Sequence, residues 1–255
     1  QDPVLVTADP EIDHGNQTIG IPRPLLVFYH CVPVWRTIFE HLGFRVVLSG
    51  ESDNTLIKKS LEMIVAETCF PVELIHGHID DLYKKEVDYI FAPFIINTQK
   101  EEDNPTSNYN CPWIQTYPFM VKPALAEEQK EKLLVPTLNF RYFGKVLNKE
   151  LSDFMWEKFK TPKGKVVKAV ELAQEAQQAM EDKVRAMGKE VLSNLPDDKE
   201  CLVILGRPYN TGDPSLNLSM IEKLINLDVL PIPLDFLPLE KEGITKDYNK
   251  MYWPN

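Results

Sequence analysis

Glu67-Thr68-Cys69-Phe70-Pro71-Val72-Glu73-Leu74-Ile75-His76-Gly77-His78-Ile79-Asp80-Asp81-Leu82, followed by the apolar run Val87-Asp88-Tyr89-Ile90-Phe91-Ala92, is the stretch that decides the fold. Pro71 suits the first helical position, where its missing N–H would be an orphan and its φ is already helical. Helical spacing puts Val72, Ile75, His76, Ile79, Leu82 and Tyr83 on one face and Glu73, Asp80 and Lys84 on the other. The run at 87–92 has the length and two-sided apolar character of a strand inside a parallel sheet. A helix feeding such a strand is half of a doubly wound α/β unit. The same spacing places Cys69 just before a helix start, where free N–H groups and the positive end of the dipole favour thiolate, metal ligation or nucleophilic chemistry. The alternative for Cys69 is an inert buried thiol, and for His76 a core histidine rather than a ligand.

Upstream, Thr18-Ile19-Gly20-Ile21 reads as a first strand closed by Pro22 and Pro24. Val34, Ile38, Phe39 and Leu42 then repeat at helical spacing until Gly43 stops the helix. Cys31 sits at that helix start two residues before Pro33, the same local arrangement as Cys69 before Pro71, and its role stays open. Phe44 to Ser49 reads as a strand, and Asp53 or Asn54 caps a helix whose Ile57, Leu61, Ile64 and Val65 share a face. Residues 1–17 are a polar, turn-rich lead-in, expected to be flexible.

Downstream, a polar loop over 97–110 delivers Cys111-Pro112, with a short strand expected at Trp113 to Thr116. Loops leaving the carboxyl ends of strands converge on the ligand crevice of an open α/β sheet, which brings Cys111 toward it. From Pro123 to about Leu195 the pattern is helical. Val170, Ala173, Gln177, Met180, Val184, Met187 and Val191 form a coiled-coil-like seam, read either as a dimer contact or as a helix packed back on its own chain. Cys201 to Leu205 reads as a buried strand that places Cys201 in the core, followed by Gly206-Arg207-Pro208-Tyr209-Asn210 and a helix carrying Leu218, Ile221, Leu224 and Ile225. A glycine and an arginine at a strand-to-helix turn can receive an anionic group, which makes Arg207, Tyr209 and Asn210 the candidate substrate or anion contacts. The alternative is that Arg207 pairs locally and Pro208 turns the chain.

The expected architecture is α/β, with two Rossmann-like lobes built on parallel sheets and joined by a long helical segment. The lobes are assigned to 18–122 and 199–255, the connector to 123–198, and the second lobe reads as truncated. The 28 basic and 38 acidic residues leave a net charge of −10, which disfavours nucleic acid and anionic lipid as partners. No apolar run approaches the roughly 20 residues of a membrane span. The start at Gln1-Asp2-Pro3 resembles no signal peptide, so the expectation is a piece of a longer cytoplasmic chain. Cysteines at 31, 69, 111 and 201 form no Cys-x-x-Cys pair, so any shared site must be assembled by the fold. Neither common nucleotide fingerprint and no Gly-x-Ser-x-Gly elbow is present.

Taken together, Ile19-Gly20-Ile21-Pro22-Arg23, Leu42 to Ser49, Cys69-Phe70-Pro71-Val72-Glu73-Leu74 with His76-Gly77-His78, Asp88-Tyr89-Ile90-Phe91, Cys111-Pro112 and Gly206-Arg207-Pro208-Tyr209-Asn210 resemble one family. It is the uncharacterised domain of the CoA-enzyme activases, related to 2-hydroxyacyl-CoA dehydratase subunits and double-cubane-cluster proteins. The resemblance covers residues 19–253. It implies an iron–sulfur cluster of the [4Fe–4S] kind held by cysteines between two α/β lobes, with Cys69 and Cys111 at the cluster positions. It also implies activase ATPase modules as partners in the same polypeptide, and ATP-driven electron transfer to a 2-hydroxyacyl-CoA thioester in anaerobic metabolism. Cys31 and Cys201 lie outside the family pattern, and a further cluster cysteine would belong downstream of Asn255. The competing expectation is a cluster-free module that binds an acyl-CoA or a partner.

Overall fold

The computed structural model describes residues 16–25, 31–98, 108–142, 144–196 and 198–237. The lead-in over 1–15, most of the 97–110 loop and the chain after 237 lie outside the described residues. Strands β1 (Thr18–Ile21), β2 (Arg45–Leu48), β3 (Tyr89–Phe91) and β5 (Leu133–Leu134) form one parallel sheet in the order β2-β1-β3-β5. β4 (Phe94–Asn97) pairs in parallel with β6 (Thr137–Asn139). The β3-to-β4 and β5-to-β6 paths run on past Pro93 and Pro136, and backbone bonds from Ala92 N–H to Leu134 O and Phe94 N–H to Pro136 O keep them in step. Two strands therefore lie where a helical pattern was expected after Pro123. Each is too short, at two and three residues, to show a period of its own.

Helices α1 (Val32–His41), α2 (Asn54–Met63), α3 (Phe70–Lys84) and α4 (Pro112–Val121) connect these strands. The α/β class with parallel sheets is as the sequence implied. α1 stacks its aromatics on β3: the Trp35 and Phe39 rings lie 4.8 and 4.9 Å from Phe91. All three rings are fully buried, each worth roughly 2 kcal/mol of burial. α2 starts as expected, with Asp53 Oδ1 accepting from Leu56 N–H at 2.7 Å. Its buried face is different, however. Leu56 and Ser60 face inward while Leu61 and Val65 are exposed. The reason is Gly77 on α3. A Cβ there would lie 2.2 Å from Ser60 Oγ and 2.6 Å from Leu56 O, so only glycine lets the two helices meet along this line. α3 is consequently buried almost all round from Val72 to Ile79, including Glu73, which the spacing had assigned to the outer face. Glu73 is placed by the Thr68 N–H, which donates to its carboxylate at 2.8 Å.

Trp113 to Thr116, expected as a strand, belongs to α4. Pro112 occupies the first turn, and Ile114, Tyr117 and Val121 at helical spacing enter the core. Pro118 inside the helix removes a donor that a helix reading requires, which disguised it.

Beyond α5 (Glu127–Lys132) and α6 (Val146–Phe159), α7 (Lys163–Ser193) runs for 31 residues. Its first half buries Val166, Ala169, Val170 and Ala173, and it packs against α1 and α6. Near its end Gly188 meets the backbone of Phe236, where a Cβ would lie 2.5 Å from the carbonyl oxygen. β7 (Cys201–Ile204) and β8 (Leu230–Pro233) form a further parallel pair, flanked by α8 (Pro208–Thr211) and α9 (Met220–Asn226). Cys201, expected in the core, is exposed, as are Leu202 and Val203, and only Ile204 of β7 is buried. The apolar run implied cover on both faces, which a two-stranded sheet does not receive among the described residues. Among those residues no helix is long and apolar enough to cross a membrane.

Candidate functional site

α1 and α4 start at the carboxyl ends of strands, whereas α3 follows α2 and meets the carboxyl end of β2 with its later turns, His78 beside Ser49 and Asp81 accepting from Gly50 N–H; the amino ends of the three helices nevertheless share one make-up. Each of these ends carries a cysteine at the N-cap with a proline in the first turn: Cys31 with Pro33, Cys69 with Pro71, and Cys111 with Pro112. Arg207, with Pro208 behind it, holds the same position on α8. The recurrence has a local cause. Proline suits the first helical turn, where its missing N–H costs no hydrogen bond, and it directly follows the N-cap at Cys111 and Arg207, whose backbones have ψ of 136° and 139°.

Cys69 and Cys111 come together. α3 packs on α4, and contact recurs two turns further on, where the His76 ring approaches the backbone of Met120. Seven residues along α3 and nine along α4 cover about 10 and 14 Å, so the two helices run side by side in one direction with their cysteine ends adjacent. The thiols are close enough that charge on Cys111 raises the pKa of Cys69. Tyr209 completes the cluster. It is half-buried against the same core, and both cysteines act on its hydroxyl, with Arg207 acting in the opposite sense.

The electrostatics differ from the expectation of a favoured thiolate. Burial holds the Cys69 thiol above its ordinary range, and Cys111 and Glu73 add to this, against the N–H groups of Val72 and Cys69 that favour the anion. Burial likewise raises Tyr209, and it pushes the Cys31 thiol up to about 12. A bound cation would invert this balance at Cys69 and Cys111. The two sulfurs are a soft donor pair, suited to one edge of a thiolate-held metal group, and Cys69 is exposed while Cys111 is partly so. Among the described residues no set of three His, Cys, Asp or Glu side chains is grouped to hold a metal.

His76 does not reach this site as a ligand. It is buried, its Nδ1 lies 3.1 Å from Glu73 O, its ring faces the backbone of Met120, and burial lowers its pKa. Asn210 sits on α8, its N–H donating to Arg207 O within the first turn. Phe70, Tyr109 and Trp113, all exposed, stand within two residues of the two cysteines in sequence. Sequence reasoning gave no role to these aromatics, nor to His78, Ser49, Ser52 and Asp213, four buried polar side chains linked by hydrogen bonds. The only signal for them was composition, since small polar residues at loop ends carry no period.

The fold is a parallel α/β fold in which two helix N-caps present neighbouring cysteines. Residues 18–237 match the sequence profile of the CoA enzyme activase uncharacterised domain, and the chain belongs to that family. No curated protein and no solved structure matches the chain.

Proposed function

We propose that this domain contributes Cys69 and Cys111 to an iron–sulfur cluster in an activase-linked redox protein that serves a 2-hydroxyacyl-CoA dehydratase type of reaction. The observation that carries the reading is the adjacency of the two thiols at the amino ends of parallel helices, with Tyr209 against them. The cluster supplies one-electron transfer, and the remaining ligands come from outside the described residues. Here Cys69 and Cys111 bind, and the N–H groups at the start of α3 offset thiolate charge. Tyr209 closes one side against water, and Arg207 places a guanidinium where an anionic acyl-CoA group or an acidic partner surface would approach. The ATPase modules, a cytoplasmic setting and the thioester substrate belong to the same proposal.

The test is anaerobic reconstitution of the full-length protein with iron and sulfide, followed by absorbance, EPR and iron analysis. Cys69→Ser or Cys111→Ser should remove or strongly perturb the signal, while Cys201→Ala leaves it intact. A full signal in the Cys69→Ser/Cys111→Ser double variant overturns the reading. The exposed aromatics Phe70, Tyr109 and Trp113 near the cysteines would then favour the cluster-free module that binds an acyl-CoA or a partner.

A further inference from the structure

A line of buried polar groups crosses from the first sheet to the segment that carries Arg207 and Tyr209. The Arg23 N–H donates to Ser49 Oγ at 2.8 Å. Ser49 Oγ lies 2.8 Å from His78 Nδ1, His78 Nε2 lies 3.1 Å from Ser52 Oγ, and Ser52 Oγ lies 2.5 Å from Asp213 Oδ2. His78 is 0% exposed and Ser49 1%. Ser52 and Asp213 are buried too, although 161 positions separate them.

The direction of every bond in this line follows from its Asp213 end. The Asp213 carboxylate only accepts, since its other oxygen already takes the N–H groups of Ser215 and Leu216 at 2.9 and 3.1 Å. The Ser52 proton is therefore committed to Asp213, and Ser52 Oγ accepts from His78 Nε2–H. With the proton of the neutral ring on Nε2, Nδ1 is the acceptor and takes the Ser49 hydroxyl proton, while Ser49 Oγ also accepts from the Arg23 N–H. The imidazole is thereby fixed as the neutral Nε2–H tautomer. A second tie, Ser215 Oγ donating to Ser52 O at 2.6 Å, holds the same turn.

A turn of this kind needs a carboxylate to cap it, but nothing in it requires a histidine inside α3. What the line does is anchor the segment from Arg207 to Asp213 to the helix that bears Cys69. We propose that His78, acting through Ser52 and Asp213, is a positioning residue that holds Tyr209 against the Cys69–Cys111 pair and works only as the Nε2–H tautomer. The purpose assigned to it rests on the thiol pair being the functional site.

The experiment uses the full chain with 15N-labelled histidine and has two readouts, neither of which needs iron. Long-range 1H–15N spectra at neutral pH should show His78 as Nε2–H. In Asp213→Asn the amide oxygen keeps the two backbone N–H groups and its NH2 turns to Ser52. The Ser52 proton then points at Nε2, and His78 should switch to Nδ1–H. In parallel, alkylation of each cysteine is followed by mass spectrometry in the native protein, in Ser52→Ala and in Asp213→Asn. Cys69 and Cys111 should react several-fold faster in both variants, with Cys201 unchanged as the internal control. Native Nδ1–H, or no switch in Asp213→Asn, overturns the relay. Unchanged alkylation at Cys69 and Cys111 in a folded variant with the relay broken overturns the positioning role. Either failure leaves the cluster test standing, and a failed cluster test leaves both readouts intact.

Discussion

Asp88 and Thr18 exchange three hydrogen bonds: Asp88 Oδ2 accepts the N–H and the hydroxyl of Thr18 at 2.7 and 2.8 Å, and Asp88 N–H donates to Thr18 Oγ1 at 2.9 Å. This ties the amino ends of β1 and β3 together. The Thr18 donors hold the Asp88 carboxyl below its usual range. A depressed carboxylate stabilises the fold above its ordinary pKa, and that contribution is lost as pH falls through the depressed value. Thr18→Val, which removes the hydroxyl, should cost about 1 to 2 kcal/mol at neutral pH. It should lose less at strongly acidic pH, as read from urea midpoints.

Gly77→Ala should be far more costly than an ordinary helical glycine replacement, which would gain stability. The added methyl overlaps Ser60 Oγ and the Leu56 carbonyl, so α2 must move away, at about 3 kcal/mol or more for overpacking of this severity. Ser60→Ala should restore only part of the loss, because the Leu56 backbone oxygen remains in the way. Full rescue in the double variant would contradict the packing described.

Burial lowers His78 from 6.5 to about 4, with Asp213 and Asp81 opposing the shift and Arg23 and Lys85 adding to it. Between these values the unfolded chain takes up a proton that the folded protein refuses. Stability should therefore fall by about 3 kcal/mol as pH drops through this window, and be constant above it on this account. His76 is lowered by burial as well and acts in the same direction. Asp81 lies below its usual carboxylate range, so its contribution disappears only at pH values under the window. Chemical denaturation across the range, repeated on His78→Gln, checks this: the variant should show a clearly smaller slope.

The seam on α7 is expected not to make an obligate dimer. Its first half is already covered by α1 and α6, Gln177 interrupts it, and Met187 further along is exposed. Met180→Glu should leave the sedimentation coefficient unchanged. A tight dimer that this substitution abolishes would show that the second half of the helix has a partner.

What could be read in the chain follows from which signals are local. Gly43 after Leu42, Asp53 before Asn54 and the apolar run at Tyr89 to Phe91 act through their immediate neighbours, and those elements lie where expected. Cys69 at a helix start was legible for the same reason. Its pKa was not, because that depends on Cys111 and on burial supplied by a different helix. The α4 helix was hidden by Pro118, and the inner face of α2 by a glycine seventeen positions after Ser60 whose role is to be absent. Ser52 and Asp213 meet across most of the chain, and no spacing announces such a pair.

The close approach of Gly188 to Phe236 has a mechanical meaning. α7 leaves the core near Ala173 and reaches Gly188 about 22 Å later, so a tilt of about 5° at its root would swing that end by about 2 Å. Phe236 belongs to the turn directly after β8, so the β7–β8 pair rides on the tip of this beam, while Asp213 pins the same part of the chain to Ser52. One pin would allow rotation about it. With two, the lever is braced: the β7–β8 part of the chain is tied both to the far end of α7 and to the turn before α2.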